Sequence, residues 1–159
     1  MTLPLPKMDP CYLCGIVEHP KSWNLIERTA LTATILNGRQ FETGQCMVVP
    51  LRHAPTLLDL TEAEEGAVMA AAKRLAKALI AAFVPNGVLL YQNNGVGSGQ
   101  EVPHFHLHVV PRTPTSDWGF GPPHIARLEG ANRPSHLDHT VVTERKTHTV
   151  ETLREYFRS

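Results

Sequence analysis

Apolar and polar positions follow two rhythms along this chain, and together they outline its elements. Between Thr61 and about Phe83 the rhythm is helical: Ala, Leu, Lys and Arg dominate, with Val68, Leu75, Leu79 and Ile80 available for one buried stripe. Thr61 followed by Glu64 is a capping-box pattern, and Glu62, Glu64 and Glu65 suit the positive end of a helix dipole. Pro85-Asn86-Gly87 ends the run. Elsewhere the rhythm shortens to two. Trp23 to Ile35 alternates in two short runs, which predicts a hairpin, and Asn37-Gly38 is a turn dipeptide. Gln45 to Pro50, Val88 to Gln92 and His104 to Val110 read as buried strands, with Asn93 to Gly99 a glycine-rich loop between the last two. Cys11 to Gly15 has the look of a tight knuckle relieved by its glycine. Val150, Leu153 and Phe157 predict a short final helix from Thr149 to Phe157.

These elements predict an α+β fold: a five-stranded antiparallel sheet with one long helix and a short C-terminal helix. Residues 1–10 read as a lead-in and 11–112 as the domain. Residues 113–159 read as a C-terminal extension packed on that domain, with Trp118 and Phe120 folding back. At 159 residues one core is expected.

Composition narrows the function classes. Hydrophobic residues make up 42% and charged residues 19%, a globular balance. No apolar run approaches the ~20 residues of a membrane span, and the proline-rich start lacks the apolar core of a signal peptide. A cytoplasmic protein is expected. Lys and Arg number 15, equal to Asp and Glu, which counts against a nucleic-acid polymer as partner, since such binding neutralises phosphates with a basic surface. A local site for one phosphate chain needs no net charge.

The chemistry concentrates in histidine, of which there are nine. In a strand, residues two apart share a face, so His104, His106 and His108 would line one side while Phe105, Leu107 and Val109 face the core. Such a row could bind metal, bind an anion or carry nucleophilic catalysis. A merely solvated strand face would more usually hold Thr, Lys or Glu. The loop Asn93-Asn94-Gly95-Val96-Gly97-Ser98-Gly99-Gln100 precedes it. Its glycines would let backbone N–H groups converge on an anion, with Ser98 and Gln100 adding side-chain donors. Alone this loop could be a flexible connection; before three aligned histidines it favours a phosphate substrate.

His104-Phe105-His106-Leu107-His108-Val109-Val110 resembles the signature of the histidine-triad (HIT) superfamily of nucleotide hydrolases and transferases. Asn93-Asn94-Gly95, Gly99 to Pro103, Asn37 and Gly44-Gln45 extend the likeness over roughly residues 11–112. The resemblance implies that His106 attacks the α-phosphorus of a nucleotide, forming a nucleotidyl-histidine that water resolves to a nucleoside monophosphate. It implies that His108 and Gln100 stabilise the phosphoryl charge, and that Asn93, Ser98 and Gly99 help seat the phosphates. Asn37 would bond the ribose, although a turn residue before Gly38 explains it nearly as well. Glu101 stands where the phosphoramidate-cleaving branch usually has serine, which leaves the leaving group open. A homodimer is implied, with a nucleotide or dinucleotide as substrate.

Cys11-x-x-Cys14 alone could be a metal pair, a redox pair or incidental, while Cys46 reads as a small buried hydrophobe. Some bacterial members of the resembled superfamily hold zinc with two such cysteines, a histidine after the central strand and the first triad histidine. Here those positions are Cys11, Cys14, His53 and His104, giving a structural zinc site with four protein ligands. His19 is the rival ligand, and His136-x-x-His139 reads as surface. Two other functions fit the same residues: a hydrolase with a catalytic metal on the three histidines, and a non-catalytic nucleotide-binding module.

Overall fold

The computed structural model describes residues 2–20, 24–38, 40, 42–112 and 139–158. Trp118, Phe120 and His136 lie outside the described residues. The elements in chain order are α1 (Tyr12–Glu18), β1 (Leu25–Arg28), β2 (Thr32–Leu36), β3 (Cys46–Pro50), α2 (Glu62–Phe83), β4 (Gly87–Tyr91), β5 (Leu107–Arg112) and α3 (His139–Arg158). Short 3-10 turns at Leu57–Asp59 and Val96–Ser98 join them. The strands form one antiparallel sheet in the order β1-β2-β3-β5-β4, the five-stranded α+β arrangement expected. Among the described residues no helix is long and apolar enough to cross a membrane.

The central strands β2 and β3 are buried at every position because both sheet faces are covered. On one face Ile26, Leu36, Cys46, Val48, Leu107 and Val109 pack with Val68, Leu75 and Leu79 of α2 and Val150 and Leu153 of α3. On the other, Ala33, Ile35, Met47 and Val49 pack with Leu13 and Val17 of α1. The predicted stripe of α2 is largely right, but Ile80 is exposed. Gly44 lets β3 start close beneath the end of α2. Its φ is +87°, and a Cβ there would sit 2.8 Å from the Phe83 ring.

Three local expectations change. Cys11 to Gly15 is not a knuckle: Tyr12–Glu18 is helical, with Gly15 inside it. Leu13 and Val17, four apart, both bury against the sheet, and that packing outweighs the poor helix propensity of glycine. The last helix is not short but spans His139–Arg158. Its first half is rich in Thr and Val, whose low helix propensity hides it in the sequence. The ladder of β5 begins at Leu107 rather than His104, because β3 pairs no further along β5 than Val48 with Leu107 and β4 no further than Tyr91 with His108.

The N-terminus of α2 is tied to the strand end that carries His53. Thr61 Oγ1 accepts from the Glu64 N–H, and Glu64 accepts from the Thr61 N–H, so the capping box is present. Arg52 donates from Nε and Nη2 to the two carboxylate oxygens of Glu64 at 2.9 and 2.6 Å, and to the Asp59 carbonyl at 2.7 Å. Arg52 holds the Glu64 carboxyl well below its ordinary 4.5, at about 2, against the opposing effect of burial and with help from Thr61. A carboxyl lowered on folding adds stability that is complete above its unfolded value and lost as pH falls through its folded value. The window here runs from about 4.5 down to about 2. Glu64→Gln is expected to be less stable at neutral pH and to lose less urea resistance than wild type across that window. Parallel midpoint-against-pH curves for the two proteins would refute this account.

Candidate functional site

The three triad histidines do not form one row. His104 lies in an irregular turn, with its N–H donating to the Val102 carbonyl at 2.8 Å, and its side chain is fully buried. Its ring meets His53 edge-on at 5.3 Å, whereas His106 meets His108 edge-on at 5.1 Å. Two centres result, joined by two residues of backbone.

The first centre gathers Cys11, Cys14, His53 and His104, whose ligand atoms all lie within 4.8 Å of one another. Cys11 caps α1 and Cys14 is in its first turn, so a spacing of three puts both thiols on one side. Cys14 Sγ is 3.2 Å from His53 Nδ1 and 3.4 Å from His104 Nδ1, and Cys11 Sγ is 3.7 Å from His104 Nδ1. The edges of a tetrahedron with metal bonds of ~2.0–2.3 Å are about 3.5 Å, so the four atoms suit one small cation. His104 Nε2 lies 3.0 Å from the Pro50 carbonyl, which can only accept. The proton therefore sits on Nε2, and Nδ1 presents its lone pair to the thiols. Burial, then the neighbouring Cys11 and Glu18, push the Cys14 thiol up to about 11. Two sulfurs and two ring nitrogens gathered this closely form a donor set that a cation would satisfy. Among the described residues this is the group of His, Cys and acidic side chains placed to share an ion; His104, His106 and His108 are not such a group, and His19 is not in it.

The second centre is built across the sheet. Met47, His108 and Tyr91 are direct neighbours on β3, β5 and β4 and share a face. The His108 ring stacks on Tyr91 at 4.4 Å and 13°. His106 continues the same side. Its Nδ1 lies 2.7 Å from the His104 carbonyl, so that nitrogen carries the proton and Nε2 is bare. Burial lowers the basicity of His106, opposed by the His104 carbonyl and by the charge of exposed Glu101. Burial and the neighbouring His106 lower His108 to about 3. A pair of neutral imidazoles, one with its Nε2 lone pair left unprotonated, suits nucleophilic attack on an electrophile.

The glycine loop differs from the open cradle expected of it. The N–H of Gly95 donates to Gln100 Oε1 at 2.6 Å, that of Val96 to the Pro4 carbonyl at 2.9 Å, and that of Gly99 to the Val96 carbonyl at 3.0 Å. Ser98 Oγ donates to the carbonyls of Asn94 and Gly95, at 2.7 and 2.9 Å. Gln100 is buried, and its Nε2 donates to the Pro55 and Val102 carbonyls at 2.7 and 2.9 Å. The exposed Ser98 thus bonds back onto its own loop, while Gln100 turns inward and clamps it, because a buried amide must satisfy its own donors. Gly95 and Gly99 supply the positive φ the turn requires. The Asn93 amide nitrogen lies over Gly99, 3.8 Å from where a Cβ would be. Asn37 closes the β2 end by donating its N–H to the Gln45 carbonyl at 3.0 Å.

Gln45 and Tyr91 were not singled out for a role by the sequence reading, yet both touch His108. Gln45 is fully buried and directs Nε2 to Tyr91 Oη at 3.1 Å and to His108 Nδ1 at 3.2 Å. The available signal was its period-two relation to Met47, which places a polar residue on the histidine face.

A HIT domain matches residues 22–115, more than half of the chain. The chain belongs to the HIT family. Relatives include an uncharacterised HIT-like protein of Borreliella burgdorferi, 29% identical over 71% of this chain and 83% of its own. The adenosine 5'-monophosphoramidase hnt1 of Schizosaccharomyces pombe is 28% identical over 70% of this chain and 80% of its own. The asymmetrical bis(5'-nucleosyl)-tetraphosphatase of the same yeast is 30% identical over 60% of this chain; the matched part is 52% of that enzyme. Nucleotide hydrolases are thus among this HIT chain's relatives. A zinc-bound histidine triad protein of Mycobacterium smegmatis has the same fold, with a TM-score of 0.71 and 24% identity over 94% of both chains. The triad of this HIT protein is divided between a Cys2His2 group able to hold a metal and an edge-on pair of imidazoles.

Proposed function

We propose that this protein is a nucleotide hydrolase or nucleotidyl transferase in which His106 Nε2 attacks the α-phosphorus of a nucleotide. The observation that carries the reading is the His106 Nδ1 bond to the His104 carbonyl, which fixes the lone pair on the other nitrogen. Attack forms an N–P bond and breaks the bond from the α-phosphorus to the leaving group. Water then cleaves the nucleotidyl-histidine to a nucleoside monophosphate. His108 donates to the phosphoryl oxygens as charge accumulates, and Asn93 seats the phosphate chain. Asn37 takes the ribose. Ser98, Gly99 and Gln100 act on the substrate chiefly by fixing the loop that carries Asn93.

Zinc fits the Cys11, Cys14, His53 and His104 group by donor type and separation. When bound it supplies rigidity, holding α1 and the His104 turn together; with four protein ligands it leaves no open position for substrate. The reading includes a cytoplasmic homodimer. Among the described residues β4 has β5 on one side and no strand on the other, an edge that a second copy would cover.

The test is a panel of dinucleoside polyphosphates, nucleoside phosphoramidates and adenylyl sulfate with product analysis. Release of nucleoside monophosphate from at least one, with an acid-labile labelled enzyme intermediate after quenching, is expected. Tight binding across the panel without turnover would favour a nucleotide-binding module instead.

A further inference from the structure

We infer that Gln45 and Tyr91 form a positioning pair that fixes His108 as the tautomer with its proton on Nε2. The statement deepens the nucleotide-transfer reading and rests on it for its catalytic consequence, while the tautomer itself can be measured without any substrate. Gln45 is held where it must be: its backbone N–H donates to the Glu42 carbonyl, and its carbonyl accepts from Asn37, both at 3.0 Å. The side chain is fully buried on the histidine face of the sheet. An amide nitrogen has two hydrogens and no lone pair to offer, and here one hydrogen goes to Tyr91 Oη and the other to His108 Nδ1. A ring nitrogen that accepts cannot carry the proton of a neutral imidazole, so the proton is on Nε2. Tyr91 acts twice, since its hydroxyl takes the first amide hydrogen and its ring stacks on His108.

The consequence is a matched pair of opposite tautomers. His106 has its proton on Nδ1, facing the His104 carbonyl, and a bare Nε2. His108, two residues on, is the reverse: a bare Nδ1 facing Gln45 and an N–H at Nε2. One ring is set to give electrons to phosphorus and its neighbour to give a hydrogen bond to phosphoryl oxygen, before substrate arrives. The opposite tautomer of His108 would turn a lone pair toward an anion. Neither device is needed to hold the sheet, since the ladder bonds of β3, β4 and β5 are backbone bonds.

The experiment is long-range proton–nitrogen NMR on the full-length protein labelled at histidine nitrogens, with His108 signals assigned by His108→Gln. Wild type is expected to show the Nε2–H form of His108; an Nδ1–H form would mean that the Gln45 amide faces the other way, and would overturn the inference. Gln45→Glu replaces the donor by a carboxylate that only accepts, so it should invert the tautomer. It should lower kcat on the order of 10²-fold with KM little changed, the size expected for loss of one preorganised donor. Tyr91→Phe keeps the stack and removes the hydroxyl; mixed tautomers and a roughly 3- to 10-fold loss in kcat are expected. Should Gln45→Glu fail to fold, the wild-type spectrum and Tyr91→Phe decide the matter: an unmixed tautomer in Tyr91→Phe overturns the pairing. Absence of turnover by wild type, with the Nε2–H form present, would sink the nucleotide-transfer reading and leave the positioning pair standing.

Discussion

His106→Ala should lower release of nucleoside monophosphate on the order of 10⁴-fold or more, the scale seen when a covalent nucleophile is removed from an assembled site. The loss should fall on kcat, because the remaining groups that seat the nucleotide are untouched. Nucleotide affinity, measured by calorimetry, should stay within a few-fold of wild type, and no labelled intermediate should survive quenching. His106 anchors no strand pairing, since the ladder of β5 begins one residue later, so thermal stability should change little. The neighbouring imidazole provides the internal contrast. His108→Ala keeps the nucleophile and removes one donor, which is expected to cost ~10²–10³-fold while still leaving a trappable intermediate. Equal activity of His106→Ala and wild type would end the covalent mechanism. Retained binding with no turnover in wild type itself would point to the binding-module alternative.

Loss of metal is expected to have the largest effect on stability. A ligand present at a thousand times its dissociation constant stabilises the folded state by about 4.1 kcal/mol. A chain of this size shifts its Tm by ~2–4 °C per kcal/mol, so chelation or Cys14→Ser should lower Tm by roughly 8–16 °C. Zinc should be found at one equivalent per chain in wild type and be absent from Cys14→Ser. The same treatment reaches the chemistry indirectly. The His104 ring belongs to the Cys2His2 group while its carbonyl holds His106 Nδ1, so a loosened His104 would misorient the proposed nucleophile. Reduced turnover is therefore expected, with residual activity. A catalytic metal on the triad would instead give complete, chelator-dependent loss without a comparable fall in Tm. A chain that purifies without metal and melts at the same temperature with and without chelator would refute the structural role.

Much of this was legible from residue types and their intervals. The Thr61–Glu64 box and the helical stripe to Phe83 placed α2, because capping and amphipathicity are local properties. The alternation of Phe105, Leu107 and Val109 with the histidines survives in the burial of those three side chains. The four candidate metal ligands came from the resemblance to zinc-holding HIT proteins, and the fold brings all four together across as many as 93 positions of sequence. Less legible were α1 and the first half of α3. Gly15 argues against one and the Thr-rich stretch against the other; for α1 the packing of Leu13 and Val17 against the sheet supplies the missing stability, and α3 is anchored by Val150 and Leu153 in its second half.

What the chain determined by itself is which side chains alternate, where α2 and the strands run, and which donors exist to bind phosphate or metal. Those follow from the 3.6- and 2-residue periods of the backbone and from side-chain chemistry. The tertiary structure decided how the histidines are divided, since β3 and β4 stop short of His104 and leave it free to turn toward the cysteines. It also decided which nitrogen of each ring holds the proton. That depends on a partner atom brought up from elsewhere: a carbonyl two residues back for His106, and an amide from a different strand end for His108.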